Sequence, residues 1–434
     1  MTPSAERALR QNLENAKKLL ACALLAVVAC SSSSGTAPVV TGSWTMYRGD
    51  LARDGHPSGA TLDSSSASRL RLAWRTTLGG AIDGTVAVSN GMVFAATAAG
   101  TVTALDAQTG KTVWNRRGLG AVSSSPTIVA NTLVVGTLTG RVYLLRLADG
   151  GETWRWQGPP SATIWASPVA FRDLVVVGVA SPYGDTPLLA GRLVGLDLKT
   201  GAERWNVCVL PGCEPGDGVW STPAIDDGGL AFVGVGNPDD GVLAFDPLTG
   251  KRKWLARLYP DAHRDLDVGA SPIVFVRNGR ELVAQASVEG LFAELDAGSG
   301  AVVWSKEVVQ GTAVHGLLAS PAYDGKTFYV ASASPPTGMY ALSPRDGALI
   351  WRRETPLPVY SAPAVGDGVA VFGTGNVFGD TGSGSLLAVS SMDGHVVWSY
   401  DTHSAIRSGP AVAGDFVVAG DSAGDVLAFR VSPS

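Results

Sequence analysis

The sequence predicts an all-β chain folded as an eight-bladed β-propeller of four-stranded antiparallel blades, its ring closed by an N-terminal strand. Three observations carry that expectation. A Gly turn followed four residues later by tryptophan recurs seven times. The two ends of the repeat region are incomplete in complementary ways. The composition, with 54 Gly and only 16% charged residues in 434, suits short strands joined by tight turns better than long solvated helices.

In chain order, the first segment is a targeting sequence. Lys17-Lys18 precede an apolar run from Leu19 to Ala29, which meets Cys30 and a Ser-rich stretch. That run is too short to span a bilayer, and a basic start, a short apolar centre and small residues before a cleavage point describe a signal peptide. Val27-Val28-Ala29-Cys30 resembles a bacterial lipobox, which implies cleavage before Cys30 and lipidation of its thiol. Ser31 follows the cysteine, so an inner-membrane retention signal of the Asp type is not evident. The expectation is an outer-membrane lipoprotein facing the periplasm, with a signal peptide at 1–29 and a flexible tether at 30–43. Once Cys22 is removed and Cys30 lipidated, Cys208 and Cys213 remain, and an even pair in an oxidising compartment reads as a disulfide.

The repeat begins after a leader at 44–69, and the propeller is placed at 70–434. Its most legible unit is Ala104-Leu-Asp-Ala-Gln-Thr-Gly-Lys-Thr-Val-Trp114. The turn dipeptide returns as Asp149-Gly150, Thr200-Gly201, Thr249-Gly250, Ser299-Gly300, Asp346-Gly347 and Asp393-Gly394, followed by Trp154, Trp205, Trp254, Trp304, Trp351 and Trp398. Glycine accepts the positive φ of such a turn, which joins an apolar strand to one presenting Trp on a fixed face. Upstream of each turn lie two further β-branched runs and a Ser/Ala-Pro element, with prolines at 126, 168, 223, 272, 321, 363 and 410. Four short strands in about 40–50 residues is the period of a propeller blade. None of these tryptophans precedes Asp, which separates the repeat from WD40.

The ends fix the blade count. Leu70-Arg-Leu-Ala-Trp74 has the look of an outermost strand with no turn before it, while residues 407–430 stop where a turn and last strand should follow. Strand 70–76 is therefore expected to complete the final blade and remove a free edge. Seven complete units plus one shared unit make eight.

The Ala-x-Asp-x-x-Thr-Gly-x-x-x-Trp pattern resembles the tryptophan-docking repeat of pyrroloquinoline-quinone (PQQ) propellers over residues 70–430. The resemblance implies that each Trp, Trp74 included, stacks on the neighbouring blade near its repeat Gly. Trp44-Thr-Met-Tyr-Arg-Gly-Asp50 resembles the leader of secreted members. It also implies that the strand bearing the Pro element is innermost, so that residues three before that Pro ring one channel mouth: Asp83, Ser123, Trp165, Trp220, Gly269, Leu318, Tyr360 and Arg407. Aromatic rings converging there offer stacking surfaces to a planar cofactor or sugar.

The middle blades are similar to quinoprotein alcohol dehydrogenases and polyvinyl-alcohol dehydrogenases. Gly218-Val-Trp-Ser-Thr-Pro-Ala-Ile-Asp226 resembles the segment whose Trp stacks on PQQ, Gly236-Asn237-Pro238 the turn whose Asn approaches calcium, and His263-Arg-Asp-Leu-Asp-Val-Gly-Ala-Ser-Pro272 the segment bearing the Asp base. The resemblance thus implies cofactor contacts from Trp220, Asn237 and Trp165, calcium ligation by Asn237 and Asp267, and Asp267 as the base. The chemistry calls for this set, because hydride leaves an alcohol carbon for a quinone polarised by a hard cation while a carboxylate takes the hydroxyl proton. Three parts are missing, one of them the disulfide between adjacent cysteines that alcohol dehydrogenases of this type often carry. The slot for a cationic partner of the quinone oxygens holds Val288, and the calcium-binding Glu has no counterpart in Ser181-Pro-Tyr-Gly-Asp-Thr-Pro187 unless Asp185 substitutes. The catalytic set is incomplete. The sequence has no Cys-x-x-Cys-His, so electrons would leave through a separate periplasmic carrier.

The overall plan is also similar to the propeller lipoprotein of the outer-membrane barrel assembly machinery, which implies a non-catalytic scaffold with an assembly partner. A formal net charge of -5 without a dense Lys/Arg run excludes the electrostatic footprint of nucleic-acid binding. No His-Glu-x-x-His is present, and the five histidines are scattered.

Overall fold

In the computed structural model, the structure describes residues 40, 42–56, 61–260, 265–378 and 381–432. The candidate lipidation site Cys30, its signal peptide and His263 lie outside the described residues. Within them the chain forms eight four-stranded antiparallel sheets. Seven are built from consecutive strands, at 87–116, 127–157, 169–208, 224–257, 273–307, 322–354 and 364–401, and are numbered here as blades 1 to 7. In blade 8 the strand Leu70–Thr77 pairs with Asp425–Val431, from Leu70 opposite Val431 to Thr77 opposite Asp425. The ring is closed by hydrogen bonds between the two ends of the propeller, and the outermost position of the last blade is filled.

The repeat motif earns its residues one at a time. In blade 1, Asp106 Oδ1 accepts from the Gln108 N–H, from the Thr109 N–H at 2.8 Å and from Thr109 Oγ1 at 2.7 Å, which winds the chain into the turn and holds this carboxyl below its ordinary pKa. Gly110 then takes φ 70°, and the six later turn glycines lie between 67° and 73°. Their second duty is steric. The Trp74 ring packs on Gly110, Trp114 on Gly150, Trp154 on Gly201, Trp205 on Gly250, Trp254 on Gly300, Trp304 on Gly347 and Trp351 on Gly394, so close that a Cβ would stand 2.5–2.7 Å from each ring. Every indole of the series but one also donates to a neighbouring carbonyl, as from Trp154 to Leu198 at 2.9 Å, and Trp398 completes the circuit on Leu70 at 2.9 Å. Trp205 Nε1 alone in this series is buried without an acceptor.

A second belt runs round the channel. The hydroxyl before the inner-strand proline accepts a backbone N–H from the preceding blade: Ser125 from Thr85, Ser167 from Ser125, Thr222 from Ser167, Ser271 from Thr222 and Ser320 from Ser271, all at 2.8–2.9 Å. Ala362 and Gly409 stand at the matching positions of blades 7 and 8 and cannot continue it.

The leader closes one end of the channel. Two residues past the proline, or its blade 1 counterpart Val86, inner strands donate their backbone N–H to it in turn: Val88 to Trp44, Ile128 to Thr45, Ile225 to Leu51, Val274 to Ala52, Tyr323 to Asp54 and Val365 to Gly55, at 2.7–2.9 Å. Arg48 and Arg53 enter the hub fully buried. Arg48 donates to the carbonyls of Pro321 and Pro363, and Arg53 to that of Pro223. Burial lowers both guanidinium pKa values, while it raises Asp54 to about 7, with the neighbouring Asp50 charge adding to the shift.

Candidate functional site

The residues three before the proline precede the inner strands, five residues and at most about 16 Å along the chain from the leader contacts. A cavity of about 530 Å³ opens there. It draws on blades 3 to 7, and its walls include Trp165, Trp220, Asn237, Asp267, Asp185 and Leu318. Asp83 and Arg407 instead pair with each other at 3.4 Å, and neither they nor Ser123 and Tyr360 line the cavity.

Asp267 is its chemical centre. One carboxylate oxygen accepts the Trp220 indole N–H at 2.7 Å and the other the Asn237 backbone N–H at 3.0 Å. Two glycines permit this. A Cβ at Gly236 would stand 2.6 Å from Asp267 Oδ1, and one at Gly269 would stand 1.8 Å from Trp220 Cζ2, so the indole lies across the neighbouring blade only because that position has no side chain. Burial pushes the Asp267 carboxyl up to about 6; the two N–H donors pull it back, and the Asp265 and Asp185 charges add to the rise. Trp165 is fixed by its own indole bond to the Ser181 carbonyl at 3.0 Å.

Asp185, Asp265 and Asp267 are the carboxylates of the lining, and among the described residues no Lys, Arg or His joins them. No three His, Cys, Asp or Glu side chains among the described residues stand close enough to hold a metal by themselves. Val288 does not line the cavity. It is 2% exposed, its N–H is spent on the Asp267 carbonyl at 3.1 Å, and Gly311 and Gly316 pack on its carbonyl, so a lysine there would bury an ammonium rather than present one to a ligand.

His315 closes a local bridge with Thr312 and also stands outside the lining. Cys208 and Cys213 are bonded, with Cα atoms 5.2 Å apart. Gly420-Asp-Ser-Ala-Gly424 matches the Gly-x-Ser-x-Gly pattern of serine hydrolases. Here it is the hairpin of blade 8, joining two strands rather than a strand to a helix, and Ser422 Oγ is engaged by Ser404 Oγ at 2.7 Å.

Sequence reasoning missed the opposite rim of the cavity. Tyr183, on the segment joining the second and third strands of blade 3, faces Phe378, on the equivalent segment of blade 7, with ring centroids 6.2 Å apart and planes 28° from parallel. Tyr360 meets Phe378 edge-on at 6.1 Å and is tied by its hydroxyl to the Val314 carbonyl.

A family model described as outer membrane protein assembly factor BamB matches residues 66–284, 213–313 and 288–433. Polyvinylalcohol dehydrogenase from Sphingopyxis sp. (strain 113P3) is 24% identical over 395 residues, covering 74% of this chain and 60% of that protein, so the chain spans less than two thirds of its length. Among solved structures, quinohemoprotein alcohol dehydrogenase from Comamonas testosteroni superposes with a TM-score of 0.79 at 18% identity, over 91% of this chain and 81% of that one. BamB from Moraxella catarrhalis superposes with a TM-score of 0.64 at 18% identity, over 84% and 98%. At these identities the superpositions speak for the fold alone.

Proposed function

Because the chain belongs to the family described as outer membrane protein assembly factor BamB, whose fold it shares with quinoprotein dehydrogenases, we propose that it is an exported, lipid-anchored propeller of the quinoprotein-dehydrogenase type that binds PQQ together with calcium. The observation that carries this reading is Asp267, a half-buried carboxylate held by Trp220 and Asn237 and facing a cavity with aromatic walls. Trp220 and Trp165 would supply flat faces to the cofactor, and Asn237 and Asp267, with Asp185 beside them, oxygen ligands to a hard cation. PQQ held by these residues would supply the acceptor for hydride from an alcohol carbon. Asp267 takes the hydroxyl proton on its carboxylate, oriented for this by the Trp220 N–H.

The lining carries carboxylates and no described cation, so an anionic cofactor would be repelled there unless Asp267, Asp185 and Asn237 also held a hard cation beside it. Calorimetric titration should therefore show PQQ binding that requires calcium and is lost in Trp220→Ala. Turnover with an artificial acceptor should be weak and absent in Asp267→Asn, for want of a cationic partner to the quinone. No binding at high micromolar PQQ with calcium present would overturn this reading and favour a scaffold in outer-membrane protein assembly, which the family description supports. An outer-membrane lipid anchor at Cys30, facing the periplasm, completes the proposal. Cys30→Ser should move the protein into the soluble fraction, and retention after a salt wash would argue against the anchor.

A further inference from the structure

The leader bonds to the inner strands of six blades and fills the hub with two buried guanidinium groups, so the pocket is reached from its other end. Blades 3 and 7 stand four apart in a ring of eight, on opposite sides of that mouth. Their equivalent segments carry Tyr183 and Phe378, whose rings meet across it at 6.2 Å, within the contact range of aromatic pairs of about 4.5–7 Å. Both rings line the pocket and both face solvent, Tyr183 at 70% and Phe378 at 40% exposure. Aromatic side chains with no core to fill are unusual on that much open surface, and here two of them find each other from opposite blades.

The two sides are not equivalent. Phe378 is braced by Tyr360, and the carbonyl of Val377 accepts from Arg407 at 3.2 Å. Tyr183 sits in Pro182-Tyr-Gly-Asp-Thr-Pro187, where Gly184 and Asp185 both take positive φ, and its ring has no partner but Phe378 among the described contacts. We infer that Tyr183 and Phe378 form an aromatic gate over the pocket and select its substrate, Phe378 as the fixed post and Tyr183 as the moving leaf. A ligand passing between two rings is tested for a slim, apolar C–H surface. The substrate class is therefore a neutral alcohol with hydrocarbon faces, and a branched or heavily hydrated one is held back.

The substrate identity rests on the dehydrogenase reading above, whereas the gate does not, so its test uses no cofactor. Acrylamide quenching of tryptophan emission reports access to Trp165 and Trp220. Tyr183→Ala and Phe378→Ala should each raise the quenching slope, about twofold for the pocket component, because a closed leaf limits entry. Tyr183→Phe keeps the ring and should leave the slope unchanged. In a Trp165→Phe/Trp220→Phe background the increase should vanish. An unchanged slope in both alanine variants, or an increase that survives loss of both pocket tryptophans, overturns the gate, and either result can be read whether or not PQQ binds.

Discussion

Asp267 accepts an N–H on each carboxylate oxygen, and this makes it hard to replace. Asparagine has one oxygen and one amide nitrogen, so in Asp267→Asn a donor must face either the Trp220 or the Asn237 N–H. The carboxyl is raised from 3.8 to about 6 by burial. The folded state therefore keeps a proton that the unfolded chain releases, and the contribution of this group to stability falls as pH rises from about 4 to about 6, then stays level. The proposed cation ligation and base function would run the other way and develop as pH rises through about 6. Melting curves across this range should slope less steeply in Asp267→Asn than in the parent, and equal slopes would mean that Asp267 does not titrate there. Trp220, Asn237 and Asp267 were legible as a set through the resemblance of their local segments. Their contact was not, since it joins side chains 47 residues apart through gaps left by Gly236 and Gly269. Val288 shows the converse, because aligning a slot along the chain fixes its place in the repeat and not the direction in which its side chain points.

Within a blade, the Gly-Trp spacing could be read at once because both of its causes are local: a positive φ at the turn, and a ring that needs a bare Cα on which to rest. The series also contains its own control. Trp154 both packs on Gly201 and donates to Leu198, whereas Trp205 packs on Gly250 with no acceptor for its Nε1. Trp154→Phe should therefore cost about 0.5–1.5 kcal/mol more than Trp205→Phe in urea melts, the net worth of one hydrogen bond. Equal losses would mean that the indole bonds add nothing beyond packing. The hydroxyl belt was half visible as a Ser/Ala-Pro element, but its direction from blade to blade depends on how neighbouring strands face one another, which the spacing alone does not reveal.

Ring closure belongs to the whole molecule and was nonetheless legible, because a missing strand at one end and a surplus strand at the other have one simple remedy. Removing residues 1–78 takes away both the closing strand and the leader, and should produce aggregation or a broad, uncooperative melt as the edge of Asp425–Val431 is exposed. A sharp transition at the parent temperature would mean that the closure contributes nothing. The leader's role was not legible, because it holds the ring through backbone groups, which every residue has, and only Arg48 and Arg53 mark it by type. Its path has a mechanical consequence. A pull applied to the N-terminal side of Trp44 is delivered at the axle of the propeller, where six blades share the load through separate backbone bonds, and the rim strand Leu70–Thr77 is spared until that hub has let go.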